Sequence, residues 1–305
     1  MENKIAIVIP YFGKFPKWMS LFVESCKKNP FIDFIMYSDC DFQYDCPNIL
    51  YHRTTFAALC NRVSKALKID FRPQSAYKLC GLRPFYGTIF REDLVGYNFW
   101  GFCDIDLVLG DLRLVFSPER LNKYDILSTQ GDRIAGPLCI LRNNDRFVRL
   151  PFQIKGWKEK LQSRQMIPLD EKYFSDVVAP ELKLLRGINS YLLRRLFPLK
   201  MAKVVNDLLS WPILTLTALL RKQYYKETNA TPEIGVHGMK YVYQDGKVRS
   251  LYGSNELPYL HFLFFKKNRY RDIHLWNEET PLDTTALRFE LPVRIDETGI
   301  HNEHS

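Results

Sequence analysis

No stretch of the chain matches G-x-G-x-x-G or G-x-x-x-x-G-K-[ST]. Neither a dinucleotide-binding turn nor a P-loop is available, which sets dehydrogenase and P-loop chemistry aside. Cysteine is present without a pattern: the residues at 26, 40, 46, 60, 80, 103 and 139 lie in the first half, are odd in number, and show no C-x-x-C spacing. A disulfide frame or a structural zinc site is therefore not expected, and a reducing cytoplasm is the expected compartment. Apolar runs are short. Ile5–Ile9 stops at Pro10, too little for the core of a secretory leader, and no run reaches the roughly 20 residues of a membrane span. Internal repeats and low-complexity tracts are lacking as well.

What is present is an ordinary globular composition, 46% hydrophobic and 25% charged over 305 residues, enough for one large or two modest domains. The formal charge of +9 is uneven: residues 181–226 hold nine Lys or Arg against Glu181 and Asp207, a net +7. The remainder is nearly neutral, which argues against nucleic acid as a partner. Strand and helix patterns alternate through the first half: strands over Lys4–Ile9 and Phe31–Tyr37, helices over Trp18–Cys26, Thr54–Ile69 and Ser75–Phe90, the last interrupted by Pro84. Further short strands are expected at Tyr124–Ser128 and Leu138–Leu141, and helices over Phe147–Leu161 and Asp170–Val178. Tyr241–Tyr252 reads as a hairpin turning at Asp245-Gly246, and Tyr259–Phe265 as a late apolar strand. The alternation implies an α/β fold with ligands at strand C-termini.

Tyr97–Cys103 is an aromatic, apolar run that ends in Asp104-Ile105-Asp106. In extended backbone the two carboxylates point the same way. Leaving a core strand, they carry a desolvation cost unless a positive partner meets them, and oxygen ligands suit Mg²⁺ or Mn²⁺. An isolated D-x-D is more often a polar turn; its neighbours change that balance. Tyr11, Phe12 and Gly13 follow the first strand and offer an aromatic wall, and Asp39 ends the second strand, where a carboxylate meets a base or ribose. Lys78 and Arg83 precede the acidic strand and suit phosphate, and His261 with Lys266 and Lys267 offers an imidazole and positive charge late in the chain.

The ordered set resembles the GT-A class of nucleotide-sugar glycosyltransferases, and within it a bacterial branch found among surface-polysaccharide enzymes. The resemblance rests on Ile7–Gly13, Tyr37-Ser38-Asp39, Tyr77–Cys80, Arg83–Gly87, Phe99–Asp106 with Gly110-Asp111, Leu169-Asp170-Glu171 and Tyr259–Phe262. It spans residue 4 to about 178 and resumes from about 240 to 267. The resemblance implies a Mn²⁺ or Mg²⁺ ion held by Asp104, Asp106 and His261. It puts Tyr11, Phe12 and Asp39 at the nucleotide, and Lys78, Arg83, Asp104 and Lys266 around ribose and phosphates. Asp170 and Glu171 would face the acceptor, either one serving as general base in an inverting enzyme. The chain departs from the pattern at Gly81, where an acidic residue is expected, and at Pro137, where relatives often carry histidine.

Residues 181–226 lie outside the resemblance. Leu185, Ile188, Leu192 and Leu196 share one helical face and Lys183, Arg186, Ser190 and Arg194 the opposite one, before the apolar stretch Leu208–Leu220. Such a basic amphipathic segment suits the interface of an anionic membrane; the alternative is packing on protein. The expected fold is thus a GT-A-like, Rossmann-like mixed and mainly parallel sheet flanked by helices. Residues 1–180 form its core, 181–230 a basic helical insert, 231–275 a completing hairpin and strand, and 276–305 a tail. The expected activity is sugar transfer from a nucleotide diphosphate sugar, UDP-linked by preference, to a glycan or lipid-linked acceptor in surface-polysaccharide synthesis, at the inner face of the plasma membrane. The alternatives are a silent nucleotide-sugar- or membrane-binding scaffold and a sugar nucleotidyltransferase. The last is disfavoured because no Gly-rich loop bearing Arg and Lys follows the first strand.

Overall fold

The computed structural model describes residues 3–129, 134, 136–178, 224–226, 240–252, 256–266 and 276–302. The strands of its main sheet are β1 (Ile5–Pro10), β2 (Ile32–Ser38), β3 (Ile49–Arg53) and β4 (Phe99–Cys103), then, after the short β5 (Leu107–Leu109), β6 (Ile126–Ser128), β7 (Leu138–Arg142) and β8 (Tyr224–Lys226). Their order is β3-β2-β1-β4-β7-β6-β8. The first four are parallel neighbours; β7 runs antiparallel to both β4 and β6, and β8 parallel to β6. The protein is a mixed α/β fold with a mainly parallel sheet flanked by helices, as the alternation of patterns implies.

Period two along the central strands sorts the core into two layers. Ala6 and Val8 of β1 and Trp100 and Phe102 of β4 face one side, where they meet Leu59, Val63 and Leu67 of helix α1 (Phe56–Leu67). Ile5, Ile7 and Ile9 with Phe99 and Cys103 face the other, against Met19, Phe22, Val23 and Cys26 of the helix Met19–Lys27. Strands buried on both faces read as continuous apolar runs, which is why β1 and β4 show no alternation. Helix α1 starts where the Thr55 hydroxyl accepts from the Ala58 amide at 3.1 Å and stops at Lys68, whose φ is 52°.

Several expectations are corrected. The segment expected as a helix over Ser75–Phe90 is a 3₁₀ helix at Ala76–Phe85 followed by one α-turn, Tyr86–Ile89; Pro84 inside it cannot donate to an α-helical ladder. Phe147–Leu161 breaks into Asp145–Arg149, Leu150–Gln153 and Trp157–Gln162, because Pro151 and Gly156 interrupt it. Asp170–Val178 begins as a π-helical turn, Leu169–Phe174. Strand β3 went unread in the sequence.

The last third forms a second sheet of β9 (Tyr241–Gln244), β10 (Lys247–Ser250), β11 (Glu256–Leu257), β13 (Val293–Asp296) and β14 (Gly299–Asn302), ordered β11-β10-β9-β13-β14; β12 (Tyr259–His261) instead pairs with β5. The β9–β10 turn has φ of 48° at Asp245 and 77° at Gly246, the expected type I′ geometry. The apolar strand expected over Tyr259–Phe265 ends at His261 and tightens into a 3₁₀ turn, Phe262–Phe264. The expected tail is a correction too: β13 and β14 form a hairpin against β9, and Val293, Ile295 and Ile300 are buried with Tyr241 and Tyr243. Of the basic segment, Tyr224–Lys226 is strand and not helix; the rest lies outside the described residues. No helix among the described residues is long and apolar enough to cross a membrane.

Candidate metal and anion site

The acidic triplet sits just past the C-terminal end of β4. It is not a continuation of the strand, as period-two reasoning had it, but a bend tied down by three backbone groups. The Asp104 amide donates to Pro137 O at 3.0 Å, Trp18 Nε1 donates to Ile105 O at 2.9 Å, and the Phe262 amide donates to Asp106 O at 2.9 Å. The β12–β5 register pairs His261 with Leu107, and so brings the imidazole beside Asp106. One ligand atom from each of Asp104, Asp106 and His261 lies within 4.8 Å of the others, a span that a hard cation with oxygen ligands at about 2.1–2.4 Å closes with small side-chain shifts. Two partly buried carboxylates and a buried imidazole fit Mn²⁺ or Mg²⁺ in donor type as well.

Each carboxylate already meets a cation. Arg83 is buried, its Nη2 paired with Asp104 and its Nη1 donating to Asp170 Oδ2 at 2.9 Å, with the guanidinium over the Phe102 ring. Lys266 Nζ stands 2.6 Å from Asp106 Oδ2, and His261 Nε2 stands 3.3 Å from Asp106 Oδ1. Burial pushes the Asp104 carboxyl above its ordinary range; Arg83 opposes the shift and Asp106 adds to it. Burial acts on Asp106 too, but the hydrogen bond and charge of His261 and the ammonium of Lys266 outweigh it and hold that carboxyl well below the usual range. Burial of the Cys80 thiol, beside Arg83, pushes it up to about 11.

Cys80, Arg83, Asp104, Asp106 and Lys266 line a cavity of about 440 Å³. Tyr11, Phe12, Trp18 and Tyr77 supply much of its apolar surface, and Arg83, Asp104, Asp106 and Lys266 its charge. Of the residues singled out in the sequence, Tyr11, Phe12, Arg83, Asp104, Asp106 and Lys266 line it, with His261 on Asp106 behind it. Others are placed elsewhere. Asp39 accepts from the Gly13 amide at 3.0 Å and fixes the loop that carries Tyr11 and Phe12; Gly13 has a φ of 111°, which suits glycine alone. Lys78 turns from the cavity and donates to the Lys160 carbonyl at 3.1 Å and to that of Gln165. Asp170 is buried on Arg83, and Glu171 is half-buried beside it; neither lines the cavity. Lys267 lies outside the described residues.

Trp18 went unrecognised, read as the first apolar residue of a helix that in fact begins at Met19. Its signal was its place in the loop after β1, where an indole N–H reaches across to the acidic bend. The departure at Gly81 has a steric reason: a Cβ there would lie 3.0 Å from Ile167 O.

Residues 7–288 match a protein-family model whose description is a family of unknown function (DUF6625). No curated protein matches the chain.

Proposed function

The chain belongs to DUF6625, and on the geometry of its site we propose that it is a metal-dependent glycosyltransferase of GT-A type. It would use a nucleotide diphosphate sugar, UDP-linked by preference, and a glycan or lipid-linked acceptor. The observation that carries this reading is the convergence of Asp104, Asp106 and His261 within 4.8 Å. Its two carboxylates line a cavity beyond the C-terminal ends of parallel β1 and β4, where open α/β sheets bind ligands.

Asp104, Asp106 and His261 would hold Mn²⁺ or Mg²⁺, which supplies Lewis-acid charge for a departing diphosphate. The chain's own groups have separate tasks. Arg83 fixes the orientation of Asp104 by bridging it to Asp170. Tyr11 and Phe12 give a base an apolar wall, and Lys266 brings positive charge to the phosphates. In the transfer the anomeric carbon–oxygen bond to the diphosphate breaks and a bond to the acceptor hydroxyl oxygen forms. Asp170 or Glu171 would take the hydroxyl proton if the enzyme inverts; Asp170 is paired with Arg83, and both stand outside the cavity lining.

The test is release of nucleoside diphosphate from UDP- and GDP-sugars by the full chain with Mn²⁺. The account expects release from one donor class, abolished by Asp106→Asn. A second reading, a silent binding protein, is favoured by one observation: each carboxylate is already matched by a basic side chain. Metal and nucleotide binding without turnover of any donor would select it. Membrane attachment through 181–226 is part of the proposal, on the charge of that segment alone; failure to float with anionic vesicles would remove it, and with it the inner-face location.

A further inference from the structure

The two cations of the site differ in how they are held. Arg83 has a side chain 11% exposed and is gripped by Asp104, Asp170, Cys80 and the Phe102 ring. Lys266 is 34% exposed and reaches Asp106 from the turn after β12, where its amide donates to Phe262 O at 3.1 Å. Its ammonium lies 4.8 Å from the centre of the Trp18 ring, at the edge of the cavity. An ammonium on a flexible four-carbon stem is free to swing where a forked guanidinium is not.

Lys266 stands on Oδ2 and His261 on Oδ1 of Asp106. A divalent cation held by Asp106 and His261 sets two positive charges beside the Lys266 ammonium, and of the two neighbours only Lys266, which is no ligand of the metal, is placed to retreat. We propose that Lys266 is a tethered counter-ion that holds Asp106 in the metal's place and gives it up as the metal enters, so that metal uptake turns the cavity from an anion-repelling site into an anion-accepting one. The inference rests on the metal site proposed above.

Charge arithmetic gives it content. Asp104, Asp106 and Asp170 face Arg83 and Lys266, so the cluster carries −1 with His261 left out of the count. A divalent ion brings it to +1, and the displaced ammonium stays beside the cavity. In Lys266→Met the same states carry −2 and 0. The variant thus favours metal and disfavours an anion, opposite effects from one substitution. A side chain that only binds phosphate would leave metal affinity alone, and one that only supports the fold would weaken both ligands.

The test is calorimetric titration of Mn²⁺ alone, then of UDP at saturating Mn²⁺, into the full chain and into Lys266→Met and Lys266→Arg. The expected result is Mn²⁺ binding about fivefold tighter in Lys266→Met, the value for releasing a partly exposed ion pair. UDP should bind more weakly to that variant, and Lys266→Arg, whose fork stays on Asp106, should bind Mn²⁺ more weakly than the parent. Unchanged or weaker Mn²⁺ binding in a folded Lys266→Met chain overturns the inference; Lys266→Gln serves if the methionine variant does not fold. Absence of Mn²⁺ binding in every variant overturns it together with the metal site. Opposite shifts in the absence of any sugar transfer would overturn the transferase reading and leave the counter-ion standing.

Discussion

At the scale of single residues, the acidic triplet was legible because its chemistry is local: two carboxylates after an aromatic run need a positive partner wherever the chain goes. Which partner each one takes was not legible, because Arg83 and Lys266 reach them from other elements of the fold. Asp106→Asn is expected to weaken Mn²⁺ binding by at least about tenfold, as loss of a ligand or its orienting partner does, measured by calorimetry. Asp170 is a harder case. Removing its charge leaves Arg83 short of a partner in a buried setting, and Asp170→Asn is expected to cost about 3–5 kcal/mol of stability. Urea unfolding measures that cost, and a loss of activity in this variant does not identify a general base. In Glu171→Gln turnover is expected to fall at least about a hundredfold if this residue takes the acceptor proton, with the unfolding midpoint measured alongside to separate a folding defect; retained turnover would exclude it.

At the scale of elements, the existence of β1, β2, β4 and the Asp-Gly hairpin followed from apolar runs and turn chemistry. The helix over Phe147–Leu161 was misread because Pro151 and Gly156 break a ladder that apolar spacing alone suggests, whereas the interruption of Ser75–Phe90 at Pro84 was legible and only its 3₁₀ character was not. The β13–β14 hairpin was missed because its inward residues, Val293, Ile295 and Ile300, are few and find their partners on β9. Gly101 shows what the centre of the sheet demands. A Cβ there would lie 2.3 Å from Cys139 O on β7, so Gly101→Ala is expected to cost on the order of 3 kcal/mol by forcing the two strands apart. Chemical denaturation gives the value, and a change under about 1 kcal/mol would mean that β4 and β7 are not packed this way. Trp18 joins the loop after β1 to the acidic bend. Trp18→Phe keeps the ring contacts with Phe262 but loses the bond to Ile105 O. It is expected to weaken metal binding while stability falls by only about 1–2 kcal/mol, read from paired titration and melting curves.

At the scale of the whole molecule, the fold class was readable from alternation, and the rule that ligands sit at strand C-termini pointed to the end of β4, where the candidate site lies. The joining of the last third to the first was not, since it depends on β12 lying beside β5. The buried acids of this core set its alkaline limit. Burial pushes Tyr241 up to about 12, Cys80 up to about 11, and Tyr86 and Tyr259 higher still. Each is neutral when folded and ionises near 8.5 (Cys) or about 10 (Tyr) when unfolded. Their contribution to stability is complete below those unfolded values and is lost as pH rises through the folded ones. Stability should hold to about pH 8 and fall steadily toward pH 12, with tyrosinate absorbance rising only as the chain unfolds; absorbance rising well before unfolding would contradict the burial of these rings. The central claim is that Asp104, Asp106 and His261 form a metal site for a nucleoside diphosphate. Titration of UDP and GDP into the full chain, with and without Mn²⁺ and again with Asp106→Asn, tests it most directly. The account predicts metal-dependent binding of one nucleotide that the substitution abolishes; binding that ignores both the metal and Asp106, or no binding at all, would contradict it.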